Sequence, residues 1–339
     1  MTVDPVAAVP VRVAVLIVTY HSADDLSGCL DAVANLEGNP IELVVVDCDS
    51  SDDSVAVARR HPVAGRPKRV LPLGENRGFA GGMNAALAAT DAPWVLLLNP
   101  DARPEPDFVA RLVARAQRHS RVGAVTGRLV RPNSEGERRL DACGMVLRST
   151  WRHLDRGSGE VDRGQYDDAE EVFGATGAAS LFARGALDDV ALEGKVFDEG
   201  FHSYREDAEL CFRLQERGWR VLYEPQAVCE HRRRVIPERR LDLPAAINYH
   251  SFKNRYLLRA YHQTRRNFWR TLVPATFRDL GALVYVVLFE RTSWAAYRWL
   301  WRHRKAVWQR RRTIRTRRTM PPDSVDRWFR IESIPLKRS

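Results

Sequence analysis

The sequence lacks the cysteine pattern of a disulfide framework or a zinc site. Its 5 cysteines are an odd number, and no two of them stand in a CxxC spacing, which argues against both kinds of fold. We therefore interpret them as small buried residues of a protein in a reducing compartment. The first residues contain neither a basic segment nor a cleavage site of small residues, so we expect no signal peptide.

Long apolar runs are also absent from the sequence. The run at residues 13–18 suits a buried strand, and the run at residues 281–289 ends at Glu290 and Arg291. Both fall well short of the ~20 residues that a membrane-spanning helix needs. The motifs GxGxxG and GxxxxGK[ST] are missing as well, so the sequence indicates neither a dinucleotide-binding fold nor a P-loop ATPase.

Positive charge is abundant but unevenly distributed. The net charge is +10 over 339 residues, and the stretches WRHRK, QRRRTIRTRR and LKRS all follow Arg291. Such a tail favours anionic partners, either phospholipid or nucleic acid. The hydrophobic content of 45% and the charged content of 28% are those of a globular protein.

Strand and helix patterns alternate in the first half of the chain. The continuous apolar run at residues 11–19 is typical of a parallel strand covered on both faces. Further strands are predicted at residues 42–47, 69–73 and 94–99, and helices at 22–35, 53–61, 82–89 and 107–119. This order predicts an α/β fold with an open, mostly parallel sheet flanked by helices, whose ligands bind beyond the carboxyl ends of the strands.

The second half of the chain is less regular. Residues 131–171 read as loops or hairpins, and strands at 172–183 and 219–223 flank a helix at 207–217. After Pro244 the sequence becomes helical, aromatic and rich in arginine. We therefore place a boundary near residue 238, which gives a first domain of residues 1–238 and a helical, basic C-terminal region of residues 239–339.

Several segments have residue types suited to nucleotide chemistry. Asp47 directly follows a strand, where its carboxylate can accept the imide N–H of a uracil or thymine ring. The segment GENRGFAGGMNAAL enters a helix, where backbone amides near Arg77 and Gly78 can approach phosphates. A tight turn with closely packed glycines is the alternative interpretation of this segment.

Two acids and a histidine at element ends suit metal binding and proton transfer. Asp101 ends the apolar run WVLLLNPDA, and a hard divalent cation would suit its oxygen atoms. His231 can add a ring nitrogen, which favours manganese over magnesium, although a lone histidine before three arginines is also usual at a surface. Glu206 and Asp207 open a helix and are candidate general bases, although acids are common there for dipole reasons.

Seven segments, taken together and in order, carry a resemblance to a known family. They are VTYHSADDL, VVVDCDSSDDS, ENRGFAGGMNAAL, LLLNPDA, GATGAASLFAR, FDEGFHSYREDAELCFRLQERGW and EPQAVCEH. The set, within residues 11–235, resembles the family-2 inverting glycosyltransferases of the GT-A fold, and most of all the bacterial rhamnosyltransferase-type branch. The resemblance implies a nucleotide-sugar donor, a divalent metal such as Mn²⁺ or Mg²⁺, and single displacement with inversion.

The resemblance also implies roles for individual residues. The metal would be held by Asp101 and His231, with Asn99 standing where the first acid of a DxD pair is usual. Asp207, with Glu206 beside it, would take the proton from the acceptor, and Gly177 would flank the acceptor. The residues implied in donor binding are Thr19, Tyr20, Asp47, Arg77, Gly78, Asn84, Asn99 and Asp101.

The C-terminal region has two open interpretations. Tryptophans and arginines interleave from residue 294 onward, which suits the headgroup region of an anionic leaflet. The alternative is a packed helical subdomain with a solvated basic face, and both can hold together. The segment YHSFKNRYLLRAYH also resembles the KNR-containing region that follows the catalytic domain in the same branch.

The leading hypothesis is therefore a metal-dependent inverting glycosyltransferase on the inner face of the cell membrane. The donor would be a dTDP- or UDP-linked sugar, with dTDP-rhamnose the first choice, and the acceptor a lipid-linked or polysaccharide hydroxyl. The alternatives are a nucleic-acid-binding protein that uses the arginine tail, a catalytically inactive scaffold of the same fold, and a nucleotidyltransferase. Acids at strand ends repel nucleic-acid phosphates, so we expect no nucleic-acid partner.

Overall fold

The computed structural model describes residues 9–132, 136–233, 244–290 and 293–330. The first half has the predicted alternation of strands and helices. Its elements are β1 (Val13–Thr19), α1 (Ala23–Ala34), β2 (Ile41–Asp47), α2 (Ser54–Arg60), β3 (Lys68–Pro72), α3 (Gly78–Ala88), β4 (Trp94–Leu98), β5 (Ala102–Pro104) and α4 (Phe108–Gln117). Helix α3 begins at Gly78, earlier than the predicted residue 82.

The part of the chain between residues 122 and 231 consists mainly of strands. Its elements are β6 (Val122–Val130), β7 (Leu140–Ala142), β8 (Met145–Arg148), β9 (His153–Asp155), β10 (Ala179–Ala183), α5 (Arg184–Val190), α6 (Glu206–Glu216) and β11 (Arg220–His231). The short strands β7 to β9 agree with the hairpins predicted for residues 131–171. Strand β11 extends to His231, well past the predicted residue 223, because its second part pairs with both β6 and β5.

The large sheet has the order β3-β2-β1-β4-β10-β6-β11-β5. Strands β1 to β4 are parallel to one another, β10 is antiparallel to β4 and β6, and β5 is antiparallel to β11. The carboxyl ends of β1, β2 and β4 therefore lie at one edge of the sheet. Because β10 runs the other way, its start at Ala179 lies opposite Leu98 at the end of β4.

The sheet is buried on both faces, which explains the continuous apolar run in β1. Val13, Val15 and Ile17 belong to the core that contains side chains of α1 and α4. Leu16 and Val18, which point the other way, belong to the core that contains side chains of α3, α5 and α6. Alternation of side chains along a strand therefore supplies apolar groups to both helical layers.

The C-terminal region is helical, as predicted, and packs directly on helix α6. Its elements are α7 (Ala245–His262), α8 (Arg265–Leu288), α9 (Trp294–Arg302), α10 (Arg304–Arg317) and β12 (Phe329–Arg330). Phe212 of α6 stacks on His262 of α7 at 4.6 Å between ring centroids, and β12 pairs with β8. The predicted boundary at residue 238 lies outside the described residues.

Buried ion pairs reinforce the contact between α6 and the C-terminal helices. The His262 ring lies between two carboxylates of α6, with Nδ1 3.2 Å from Glu216 and Nε2 3.5 Å from Glu209. Arg213 Nη2 lies 2.6 Å from Glu209 on the same helix. These groups are all nearly inaccessible to solvent, so removing one partner would leave an uncompensated buried charge.

Helix α8 differs from the expectation drawn from its sequence. It has 24 residues and is long and apolar enough, by length and composition alone, to cross a membrane, yet only 17% of its apolar window is buried. The prediction considered only the apolar run at residues 281–289. Asp279, which interrupts the apolar pattern within this helix, is paired with Arg255 and Arg259 of α7.

Candidate active site

Asp47 and Thr19 stand side by side at the carboxyl ends of β2 and β1. They are register partners, and Thr19 Oγ1 donates a hydrogen bond to Asp47 Oδ1 at 2.8 Å. Ser50 donates its backbone N–H to Asp47 Oδ2 at 2.9 Å and its hydroxyl to Oδ1 at 2.6 Å. Asp47 is therefore a fixed, buried carboxylate, whereas the neighbouring Tyr20 is 50% exposed and stacks on His21.

The start of α3 is occupied by contacts within the protein. Gly78 has a φ of 65°, and a Cβ there would stand 2.4 Å from the carbonyl oxygen of His202, so only glycine fits. The N–H of Phe79 donates to Ser203 Oγ at 3.1 Å, and that of Ala80 to the His202 carbonyl at 2.9 Å. These amides support a neighbouring loop, and phosphate contact by Gly78 stays a prediction.

Arg77 and Asn84 also contact that neighbouring loop. The Arg77 guanidinium lies 3.0 Å from Glu199. Asn84 exchanges two hydrogen bonds of 2.9 Å with the backbone of Phe197 and donates to Glu199 at 3.2 Å. The sequence did not indicate these contacts within the protein. The predicted contacts of Arg77 and Asn84 with the nucleotide-sugar donor remain a prediction.

Asp101 and His231 are brought together by strand pairing. His231 ends β11 opposite Ala102 of β5, so its ring meets the residue that precedes β5. The distance from His231 Nε2 to Asp101 Oδ1 is 3.2 Å. Two ligands of one octahedral ion at about 2.1 Å each lie about 3 Å apart, so this pair fits a shared divalent metal.

Asp141 holds the other side of the His231 ring and was missed by the sequence analysis. His231 Nδ1 lies 2.7 Å from Asp141 Oδ2, and Arg233 Nε lies 2.8 Å from Asp141 Oδ1. Metal-binding histidines typically donate their second N–H to such a carboxylate, which fixes the tautomer. Asp141 is fully buried in β7, within the segment whose sequence pattern was weakest.

The two carboxylates also determine the charge of His231. Burial disfavours the imidazolium, but the hydrogen bonds to Asp101 and Asp141 outweigh this effect and raise the pKa of His231 to about 9. Without a metal the ring is therefore protonated near neutral pH. A metal would have to displace this proton, so metal affinity at this pair is coupled to pH. The described residues, this site included, contain no group of three or more histidine, cysteine, aspartate or glutamate side chains with metal-binding geometry.

Asp207 contacts Gly177, its predicted neighbour on the acceptor side. Asp207 Oδ2 accepts the N–H of Gly177 at 3.0 Å, and Oδ1 accepts that of Ala208 at 2.7 Å. The next residue, Ala178, accepts the N–H of Asn99 at 2.8 Å. These contacts connect Asp207, through Gly177 and Ala178, to Asn99 at the end of β4. Burial raises the pKa of Asp207 above 3.8.

Glu206 has a different environment from that of Asp207. It is 6% exposed, and among the described residues its Oε2 has no hydrogen-bond partner. Burial and repulsion from Asp207 raise the pKa of Glu206 well above 4.5. Glu206 therefore stays protonated to a higher pH than an exposed glutamate does.

Replacement of Glu206 by glutamine is expected to raise the melting temperature near neutral pH. Between pH 4.5 and the higher pKa of Glu206 in the folded state, the Glu206 carboxyl loses its proton in the unfolded chain but keeps it in the folded protein. The free energy of unfolding of the wild type therefore falls as pH rises through this range. Glutamine removes this proton linkage. The difference in melting temperature between Glu206→Gln and the wild type should therefore increase from pH 4.5 to about pH 7.

Glu209 on the same helix provides the matched control. Burial opposes its ionisation, but Arg213 and His262 prevail and lower the pKa of Glu209 to about 2. Its stabilisation is present above pH 4.5 and is lost as pH falls toward 2, so Glu209→Gln should lower the melting temperature most above pH 4.5. Equal, pH-independent shifts in both variants would contradict the assigned environments.

Comparisons with known proteins identify the family. The sequence model of glycosyl transferase family 2 matches residues 14–191, which is just over half of the 339 residues. The chain is 28% identical over 290 residues to N-acetylglucosaminyl-diphospho-decaprenol L-rhamnosyltransferase of Mycobacterium tuberculosis, covering 79% of this chain and 90% of that protein.

Solved structures of glycosyltransferases share the fold. One is the mannosyltransferase PcManGT from Pyrobaculum calidifontis in complex with GDP-Man and Mn²⁺, with a TM-score of 0.54 and 22% identity, covering 88% of this chain and 76% of that chain. Another is GalNAc-T7 with UDP, GalNAc and Mn²⁺, with a TM-score of 0.60 and 12% identity, covering 76% and 49%. The chain therefore belongs to glycosyl transferase family 2 and is a glycosyltransferase with the GT-A fold.

Proposed function

We propose that the protein transfers a sugar from a nucleoside-diphosphate donor to a hydroxyl of a lipid-linked or polysaccharide acceptor. Transfer occurs by single displacement with inversion and depends on a divalent metal, Mn²⁺ or Mg²⁺. The donor is a dTDP- or UDP-linked sugar, and rhamnose is the first to test. The name of the mycobacterial relative, a rhamnosyltransferase of a diphospho-decaprenol acceptor, supports this choice of sugar and acceptor.

The observation that carries the proposal is the arrangement of Asp101, His231 and Asp207 around the end of β4. Asp101 and His231 lie 3.2 Å apart, and Asp207 is fixed through Gly177 at 3.0 Å beside the same strand end. These contacts support a diphosphate site and a proton acceptor near the same strand end. Inversion needs both a diphosphate site and a proton acceptor around one sugar, because the acceptor hydroxyl attacks from the face opposite the departing diphosphate.

The protein residues contribute orientation on the donor side. Asp47 is held by Thr19 and Ser50 with its carboxylate fixed at the end of β2, ready to accept the imide N–H of the base. Asp101 and His231 would hold the divalent cation. When bound, the cation would neutralise the negative charge that develops on the leaving diphosphate.

Asp207 performs the proton transfer on the acceptor side. Its carboxylate is held in one position by the N–H groups of Gly177 and Ala208, so little reorganisation accompanies the reaction. It accepts the proton of the attacking hydroxyl as the anomeric carbon gains oxocarbenium character. The proton ends on Asp207, the hydroxyl oxygen forms the glycosidic bond, and the nucleoside diphosphate leaves.

A thermal-shift screen of nucleotide sugars tests the proposal. A ligand that binds only the native state raises the melting temperature, so one or more dTDP- or UDP-sugars should do so, and more strongly with Mn²⁺ present. The same donor is then tested for transfer to a lipid-linked acceptor. The absence of any shift with every nucleotide sugar, with and without Mn²⁺, would contradict the proposed donor class.

Membrane association is the second part of the proposal. Helix α8 exposes an apolar stripe at spacings of three and four residues, where each side chain is at least half exposed. The stripe consists of Trp269, Val273, Phe277, Leu280, Val284 and Leu288. An exposed apolar surface of this length is typical of a contact with membrane or protein, and the basic, tryptophan-containing helices α9 and α10 favour an anionic leaflet.

The contacts of α8 favour a position on the membrane surface over one across the bilayer. Thr271 accepts a hydrogen bond from the indole N–H of Trp151 at 3.2 Å. Arg259 of α7 contacts Asp279 at 2.7 Å. Both contacts would break if the helix left the protein to span a membrane. The charged side chains of Arg278 and Asp279 would then enter the hydrocarbon. The stripe is already turned outward without such a change.

Replacement of three stripe residues by serine is expected to release the protein from anionic liposomes. Burial of an apolar side chain of this size contributes about 1.5 kcal/mol or more, so Trp269→Ser, Phe277→Ser and Val284→Ser together should weaken co-sedimentation by far more than tenfold. The melting temperature should change little, because the side chains are exposed.

The control variant carries Val9→Ser and Met320→Ser, two exposed apolar residues outside the stripe. It should bind liposomes as the wild type does. A triple variant that still co-sediments fully would contradict the assignment of the stripe. Deletion from Gly281 onward is a less specific test, because it would remove Val307 and Ile314, which belong to the same buried cluster as Phe201.

A further inference from the structure

The loop at residues 198–205 determines where the catalytic helix begins. His202, Tyr204 and Arg205 have φ angles of 64°, 70° and 75°, and none of them is glycine. This left-handed region is costly for residues with side chains, so surrounding contacts must hold the loop. Arg205 is the N-cap of α6 and directly precedes Glu206 and Asp207, so the shape of the loop positions both acids.

Helix α7 supplies the contacts on one side of the loop. The side-chain amide nitrogen of Asn254 has two N–H groups for three backbone carbonyls, those of Phe201 at 2.8 Å, Ser203 at 2.8 Å and Tyr204 at 2.7 Å, so one N–H is shared between two of them. Lys253 Nζ donates to the carbonyl of Gly200 at 2.7 Å. Both side chains are almost fully buried. Two adjacent residues of α7 thus bind nearly every free carbonyl of the loop.

The glycine-rich start of α3 supplies the contacts on the other side. The carbonyl of His202, which lies between those bound by Asn254, accepts the N–H of Ala80 at 2.9 Å. Ser203 Oγ accepts the N–H of Phe79 at 3.1 Å. The loop therefore lies between α3 and α7: the carbonyl of His202 bonds to α3, and the carbonyls on either side of it bond to α7.

We propose that Asn254 is a positioning residue for sugar transfer: its single amide group fixes the left-handed loop and thereby the place of the Asp207 carboxylate. This assigns a role to the KNR segment, residues 253–255, to which the proposed function gave none. The third residue, Arg255, contacts Asp279 and ties the same turn of α7 to α8. The role of Asp207 in the reaction rests on the proposed function, whereas the role of Asn254 in holding the loop does not.

Replacement of Asn254 by aspartate is a sharp test, because the two side chains have nearly the same shape. Aspartate replaces the donating nitrogen by an oxygen that faces three carbonyl oxygens, so all three hydrogen bonds become repulsive contacts. Asn267→Asp is the matched control. Asn267 is 2% exposed and donates to Asp326 at 3.1 Å, so the same change occurs in the C-terminal region away from the loop.

Two measurements on the full-length protein distinguish positioning from general stability. Hydrogen–deuterium exchange of the peptide that covers residues 198–206 should become faster in Asn254→Asp and stay unchanged in Asn267→Asp. In a steady-state assay, kcat for Asn254→Asp should fall by about 100-fold, the effect of a displacement of roughly 1 Å in an active site. The KM for the donor should stay nearly constant, and Asn267→Asp should retain wild-type kcat despite a lower melting temperature.

The outcomes separate the proposals. Unchanged exchange of the loop in Asn254→Asp, or faster exchange with wild-type kcat, would overturn the positioning role. A wild-type protein that turns over no nucleotide sugar would contradict the proposed function instead, and the exchange measurement would still decide whether Asn254 holds the loop. If Asn254→Asp does not fold, Asn254→Ala, which removes the donor without adding charge, is measured in the same way.

Discussion

The variant Asp207→Asn is expected to transfer sugar about 100- to 10,000-fold more slowly than the wild type, the usual contribution of a general base. Asparagine keeps the size of the side chain but cannot accept the proton of the attacking hydroxyl. Donor binding should survive, because the residues assigned to the nucleoside, Thr19 and Asp47, lie on β1 and β2 and do not contact Asp207 in the described hydrogen bonds.

The substitution has one structural side effect that the measurement must separate. Both carboxylate oxygens of Asp207 accept backbone N–H groups, from Gly177 and Ala208, and asparagine can accept only one of them. Melting temperature and the nucleotide-induced thermal shift therefore accompany the rate measurement. Asp188→Asn, at an exposed carboxylate of α5, is the control and should keep full activity. Near wild-type transfer by Asp207→Asn would show that another group takes the proton.

Asp101→Asn is expected to have the second large effect, on metal binding. The carboxylate of Asp101 is one of two side-chain groups that face each other at 3.2 Å, and an amide oxygen carries no charge to attract a cation. Loss of an outer-shell partner alone typically weakens metal binding roughly 10- to 100-fold, so loss of a direct ligand should cost at least as much. Titration of Mn²⁺ in the presence of nucleoside diphosphate, followed by calorimetry, measures the change.

Transfer activity should depend on Mn²⁺ in the same way as Mn²⁺ binding does. A chelator should remove transfer activity in the wild type and added Mn²⁺ should restore it, whereas Asp101→Asn should need far more Mn²⁺. Asp49→Asn is the control, because Asp49 is exposed and has a φ of 65°, a conformation that asparagine adopts readily. Full transfer activity of the wild type in chelator would rule out the metal assignment.

Local patterns in the sequence were sufficient for the parallel half of the sheet. Strands β1, β2 and β4 are runs of apolar residues that bury side chains on both faces, and such runs can be recognised without knowledge of the fold. The same is true of α6, which Gly218 terminates with a φ of 77°. The proximity of Asp101 and His231 was predicted from the family resemblance, since spacing alone does not bring residues so distant in sequence together.

Other parts of the site depend on contacts that no local pattern contains. Asp141 lies 90 positions from His231 in the chain, in a segment of short strands whose sequence has little periodicity. The contacts of Arg77 and Asn84 with Glu199 and Phe197 arise because the 198–205 loop lies against α3. Neither residue carries a sequence signal for such a contact, since arginine and asparagine suit a phosphate equally well.

The length of β11 shows a related limit. Its register with β6 shifts between Glu224 and Val228, and such an irregularity interrupts the alternation on which strand prediction depends. The helix α8 was underestimated for an electrostatic reason, since the charge of Asp279 is compensated by arginines of α7. In both cases a partner elsewhere in the chain makes the local sequence acceptable.

The packing of α6 against α7 has a consequence for engineering. In a chimaera that exchanged the C-terminal helices between two family members, α6 would lose partners that it has here. Those helices carry His262, which lies between two carboxylates of α6, and Asn254, which binds the loop before α6. Such an exchange would therefore also alter the surroundings of Glu206 and Asp207, so the two parts of the chain could not be replaced independently.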